Sequence, residues 1–140
     1  METVIQSEPV TPEQQQRRID DARAFATEAA SLAANTRCTQ VVILQVGVVS
    51  SLTDFFVIGT GTSARQMRTV CDDLEELAGK HGFELRHASG LDGDSWMALD
   101  FADVVVHLFS PEARQFYDLD GLWADAPRIP FDPAAFPSRA

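Results

Sequence analysis

The segment from Asp54 to Gly82 constrains the fold more than any other part of the chain. Phe55, Phe56, Val57 and Ile58 form an apolar run without polar alternation, the pattern of a strand in the interior of a sheet. Gly59-Thr60-Gly61-Thr62 ends the run, and Ser63 follows as a helix N-cap with Gln66 as its capping-box partner. Ala64, Met67, Val70, Cys71, Leu74, Leu77 and Ala78 then recur at three- and four-residue steps and share one helix face. Asp72, Asp73, Glu75 and Glu76 take much of the other face, and Gly82 is placed to end the helix in a left-handed conformation. An interior strand feeding an amphipathic helix calls for an α/β fold with helices packed on a sheet.

The flanking pattern fills in that frame. Thr11, Pro12 and Gln14 give a helix start, and an Ala-rich run to about Asn35 places Ile19, Ala22, Ala26, Ala29, Ala30 and Ala33 on one shallow face. Gln40–Val46 is β-branched and reads as a buried strand. Phe83–Ala88 is a further strand candidate, and Ser89–Ser95 is a turn by composition. Trp96–Phe101 and Val104–Phe109 read as a hairpin across Ala102-Asp103. Ser110 and Pro111 open a short helix carrying Ala113, Phe116 and Tyr117; Leu119, Leu122 and Trp123 continue an apolar face after a break near Gly121. The expected order is α-β-β-α-β-β-β-α, a single α/β domain with a mixed five-stranded sheet. Residues 1–10 are expected to be disordered, 11–125 to form the domain, and 126–140 to be a Pro-rich tail, extended or disordered, holding four of the seven prolines.

The formal net charge of −10 disfavours direct nucleic-acid binding, because phosphate backbones repel it. Fourteen acids face five bases between Gln40 and Asp125, so the acidity belongs to the fold and suits a basic partner. No apolar run reaches the roughly 20 residues of a membrane helix. The opening METVIQSEPV has neither a basic n-region nor an apolar core, so no membrane association and a cytoplasmic location are expected. Cys38 and Cys71 read as free thiols, not as a disulfide framework or a zinc site.

Few residues invite a chemical role. The Gly-Thr-Gly-Thr-Ser turn could cradle an anion at a helix start, but it lacks the Walker lysine, and Ala64 stands where a dinucleotide motif has its third glycine. A tight strand-to-helix turn is the preferred reading. Asp100 and Asp103 lie across a turn and, with Gly59–Ser63, make a metal-dependent nucleotidyl transferase the rival reading. His107 sits inside an apolar run and reads as a hydrogen-bonded core or edge residue. Trp96 opens a strand among acids, the setting of an interface anchor as much as of a core tryptophan.

Several of these segments together resemble one family. Ser51-Leu52-Thr53-Asp54-Phe55-Phe56-Val57-Ile58, then Gly61-Thr62-Ser63-Ala64-Arg65-Gln66, is similar to the Iojap-like family, the ribosomal silencing factors. So are Gly90-Leu91 leading into Trp96–Phe109, Pro111-Glu112-Ala113-Arg114, Tyr117-Asp118-Leu119 and Leu122-Trp123. The resemblance spans Ile19 to Asp125 and leaves the Pro-rich tail outside. Ala102 departs from it, standing where the family usually has Gly, so a slightly different turn is expected. The resemblance implies a nucleotidyltransferase-like fold without that activity, no catalytic residue and no cofactor or metal. It implies a large ribosomal subunit partner, bound through ribosomal protein fourteen, and a block on joining with the small subunit. It also implies a contact surface containing Trp96, Leu99, Asp100 and Asp103. A homodimeric scaffold remains a further alternative.

Overall fold

Thr11 begins the first helix as its sequence predicts. Its hydroxyl accepts from the Gln14 N–H and the Gln14 side chain accepts from the Thr11 N–H, both at 3.0 Å, and Pro12 is the first helical residue. The computed structural model describes residues 9–135, so most of the expected disordered N-terminus lies outside the described residues. Helix α1 runs Pro12–Asn35. The chain then forms β1 (Thr39–Leu44), β2 (Phe55–Thr60), α2 (Ala64–Lys80), β3 (His87–Ser89), β4 (Trp96–Asp100), β5 (Val104–Phe109), α3 (Pro111–Tyr117) and the single turn α4 (Leu119–Leu122). The expected order holds, with the C-terminal helix divided in two.

The five strands lie in the order β1-β2-β5-β4-β3. The one parallel pair, β2 with β5, occupies the middle, and the other pairs are antiparallel. Apolar residues on both faces of β2 match its place between β1 and β5. Helices α1 and α2 close one face. The small Ala22, Ala26, Ala29, Ala30 and Ala33 let α1 lie close to the sheet, and Phe25, absent from the expected face, is its largest buried side chain. The Phe25 ring stacks on Phe83 at 5.0 Å and meets Phe101 edge-on at 5.2 Å.

Local details differ from the sequence reading, beginning with the third strand, which is only His87–Ser89 and not Phe83–Ala88. Ser63 caps α2 by accepting from the Gln66 N–H, but the Gln66 carboxamide accepts from Thr62 and donates to the Thr36 carbonyl, so the capping box is left open and α2 is tied to the end of α1. The break between the last helices falls at Asp118, with φ of 47°, not near Gly121. Leu122 is consequently exposed, while Leu119 is buried.

The Pro-rich segment needs the largest correction. It is largely extended, ends in a 3-10 turn at Pro133–Ala135, and is part of the fold through residue 135. The Gln45 N–H donates to the Pro127 carbonyl at 2.8 Å and the Ile129 N–H donates to the Ile43 carbonyl at 2.9 Å, which covers the outer edge of β1. Ser31 donates to the Asp132 carbonyl and Asn35 to the Pro133 carbonyl, and Ile129 and Phe131 pack against the main core. Proline has no N–H to give, yet its carbonyl remains a full acceptor, and alternate residues supply the donors.

Candidate functional site

Strand alternation sorts the side chains of the sheet into two populations. Phe55, Val57, Met97, Leu99, Val104, Val106 and Leu108 enter the core beneath α1 and α2. Phe56, Ile58, Trp96, Ala98, Asp100, Val105, His107 and Phe109 take the other positions of the same strands. On that second face Ile58 and Phe109 form a smaller core with Leu44, Val46, Ala113, Leu119 and Ala126. Helices α3 and α4 therefore roof only part of it. Phe56, Asp100 and Val105 stay half-buried around a pocket of ≈ 390 Å³ that Leu52, Thr53, His107 and Trp123 also help to line.

Trp96 lies on this face, half-buried and packed against the second core. Its ring lies 4.8 Å from both Phe109 and Tyr117, and its Nε1 donates to His107 Nδ1 at 3.1 Å. Asp100 lies on the same strand face, with Oδ1 accepting from the Ala102 N–H at 2.8 Å. Asp103 sits in the hairpin turn, half-buried, and accepts from Arg18 Nη2 of α1 at 3.1 Å. Leu99 is a correction. It is 2% exposed inside the main core, on the opposite face from Trp96 and Asp100, so it offers no contact area to a partner. Phe56, Val105 and His107 belong to the open face instead. Their alternation is visible in the sequence, but nothing local marks which of the two faces the helices leave uncovered.

The open face ends in carboxylates. The parallel register sets Phe55 beside Val104, which brings Asp54 and Asp103 together at the start of β2 and β5, next to Asp100. Burial, followed by the neighbouring Asp103 charge, raises the Asp54 pKa against the opposing pull of Arg18. Beside them Val48, Val49 and Leu52 are exposed, Leu52 by 86%. Apolar side chains next to crowded carboxylates make a surface suited to a partner that brings both apolar area and positive charge.

The nucleotidyl transferase arrangement is not assembled. Gly59–Ser63 comprises the last two residues of β2 and the turn after it, whereas Asp100 and Asp103 lie at the end where β2 begins, roughly 17 Å away along a strand of six residues. Among the described residues no group of three or more His, Cys, Asp or Glu side chains is placed to hold a metal ion. Cys38 and Cys71 are free and buried; burial, with a smaller contribution from Asp72, pushes the Cys71 thiol up to about 12, and burial raises the Cys38 thiol too, so neither has thiolate character.

Comparison with known proteins agrees with this architecture. Residues 19–140 match the sequence model of a family described as "Ribosomal silencing factor during starvation", so the match extends through the Pro-rich segment expected to lie outside it. The chain is 36% identical over 93 residues to the ribosomal silencing factor RsfS of Halalkalibacterium halodurans, covering 66% of this chain and 80% of that one. It is 35% identical over 98 residues to the mouse protein named for mitochondrial assembly of the ribosomal large subunit, of which it spans 42%. A crystal structure of a Chromobacterium violaceum protein superposes with a TM-score of 0.67 at 25% identity, covering 81% of this chain and 91% of that one. With the strand order, the hairpin and the motifs from Ser51 to Trp123 all in place, the chain belongs to the ribosomal silencing factor family.

Proposed function

We propose that this protein represses translation by seating the open face of its sheet on the large ribosomal subunit, through ribosomal protein fourteen, so that the small subunit cannot join. The observation that carries the reading is the unequal covering of the sheet. One face is closed by α1 and α2, while the other leaves Phe56 and Val105 beside Asp54, Asp100 and Asp103, with Trp96 on the same face at the far end of β4. Ribosomal proteins are typically basic, and a partner's lysine or arginine would relieve the repulsion between Asp54 and Asp103. The name of the mouse relative supports a large-subunit partner. Residues 11–135 are the working unit in this reading, and occlusion requires no catalytic group.

The test is sedimentation of the purified protein with separated ribosomal subunits. It should travel with the large subunit alone and lower the yield of joined ribosomes. Asp100→Asn should weaken that binding, most at low salt. Normal joining in the presence of excess protein would refute the reading. A homodimer through the same face is the competing use of this surface, and sedimentation equilibrium of the free protein separates the two.

A further inference from the structure

His107 is buried among apolar groups with one nitrogen satisfied and one not. It is 8% exposed, its ring meets Phe56 edge-on at 4.7 Å, and it helps to line the pocket of ≈ 390 Å³ on the open face. Nδ1 accepts the Trp96 Nε1–H at 3.1 Å, so it carries a lone pair and no proton. Burial lowers the His107 pKa to about 4, and the ring is therefore neutral at physiological pH. A neutral ring with an acceptor Nδ1 has its proton on Nε2. That N–H is buried, and no group among the described residues accepts from it. A buried donor left without an acceptor is destabilising.

The surroundings select the acceptor. Asp100 is the charge that acts on the ring, and it is engaged with the Ala102 N–H. Asp54 and Asp103 crowd the same end of the sheet and would repel an incoming carboxylate. Phe56, Val105 and Trp123 give the pocket apolar walls. A neutral carbonyl carried by an apolar segment meets every condition. Resting on the docking reading above, we propose that His107, oriented by Trp96, donates its Nε2–H to a main-chain carbonyl of the partner segment that enters this pocket, a contact that requires a pocket wall to shift because Nε2 is sealed from solvent in the free protein. Trp96 is then a positioning residue as well as a source of contact area, because it fixes the tautomer.

Nuclear magnetic resonance on the ¹⁵N-labelled full chain tests this in two steps. The free protein should show the Nε2–H tautomer at His107, and an Nδ1–H tautomer would overturn the proposal. On titration with purified large-subunit ribosomal protein fourteen, the Nε2–H signal should move downfield and exchange more slowly with water. A saturated complex that leaves this signal unchanged would sink the role of His107 while the docking surface stands. Failure to form any complex would sink both. Binding to isolated large subunits gives an independent measure. His107→Phe keeps the ring and removes the donor, and about tenfold weaker binding is expected, with an unaltered salt dependence. His107→Gln, which restores an N–H donor, should recover part of the loss. A folded Phe variant that binds as the parent does, under conditions where Asp100→Asn is weakened, would also overturn the proposal.

Discussion

Arg114 and Asp120 form a two-pronged ion pair across the junction of the last two helices. Nε donates to Oδ1 at 2.9 Å and Nη2 to Oδ2 at 2.8 Å, while Nη1 reaches the Thr60 hydroxyl at 2.9 Å. One guanidinium thus ties α3 and α4 to the end of β2 and holds the partial roof over the second face in place. Burial pushes the Asp120 carboxyl up, but the Arg114 hydrogen bond and charge, with smaller help from Arg128, hold it below the ordinary range. The pair therefore contributes at neutral pH, and its contribution fades as pH falls through the lowered Asp120 value. Arg114→Met should lower the unfolding free energy at pH 7 by about 2 kcal/mol, less than a fully buried pair would lose. Urea titration measures this, and an unchanged midpoint would remove the pair from the stabilising set.

Leu99 separates stability from docking. Truncating it opens a cavity in the main core, and Leu99→Ala should cost about 3 kcal/mol of stability. Its side chain never reaches the open face, so below the unfolding transition the variant should bind large subunits as tightly as the parent does. Selective loss of binding by a fully folded Leu99→Ala protein would contradict the facing assigned to β4.

Ala102 holds a backbone conformation suited to glycine. Its φ is 74°, at the first central position of the Phe101–Val104 turn, which the Phe101 N–H closes by donating to the Val104 carbonyl at 2.9 Å. A two-residue hairpin with positive φ at that position alone normally takes Gly there. The strain at a non-Gly residue, about 1–2 kcal/mol, outweighs the extra chain entropy that glycine loses on folding. Ala102→Gly should stabilise the protein by about 0.5–1 kcal/mol, readable as a higher thermal midpoint. A lower midpoint would mean that the turn does not carry the strain.

His107 makes stability depend on pH in a defined window. Its folded-state value of about 4 lies below the ordinary 6.5, owing to burial with Asp100 pulling the other way. Between those values the unfolded chain binds a proton that the folded chain refuses, so unfolding free energy rises with pH there. The contribution is complete above about pH 6.5 and is lost on acidification towards 4, amounting to at most about 3 kcal/mol. Comparing urea midpoints at pH 7.5 and pH 5 for the parent and for His107→Phe isolates it. Equal slopes in the two proteins would show that His107 is protonated as easily when folded.

Much of the fold was legible because its signals act over a few residues. Thr11 with Gln14, Ser63 before Ala64, and Ser110 before Pro111 each fix a helix start through one short hydrogen bond. Gly82, with φ of 79°, follows α2 where a left-handed residue was expected. The apolar run from Phe55 to Ile58 identified an interior strand, because only a residue flanked on both sides by packed layers can be apolar on both faces. The Ala102-Asp103 turn and its two strands followed from composition alone.

What remained illegible depends on segments far apart in the chain. Alternation in Trp96–Asp100 shows that Leu99 and Asp100 face opposite ways, but local sequence does not say which face α1 and α2 will cover. Coverage was decided by packing: the alanines of α1 and the anchor Phe25 fit one side closely, while the short α3 and α4, pinned by Arg114, reach across only part of the other. The Pro-rich segment was misjudged for a related reason. Its composition denies it local structure, yet β1 had an edge in need of hydrogen bonds and α1 had Ser31 and Asn35 free to hold it. Sequence determined the elements of this protein, since caps and periodicity are near-neighbour physics; tertiary structure alone decided which surface stays open, since burial is a property of the whole chain.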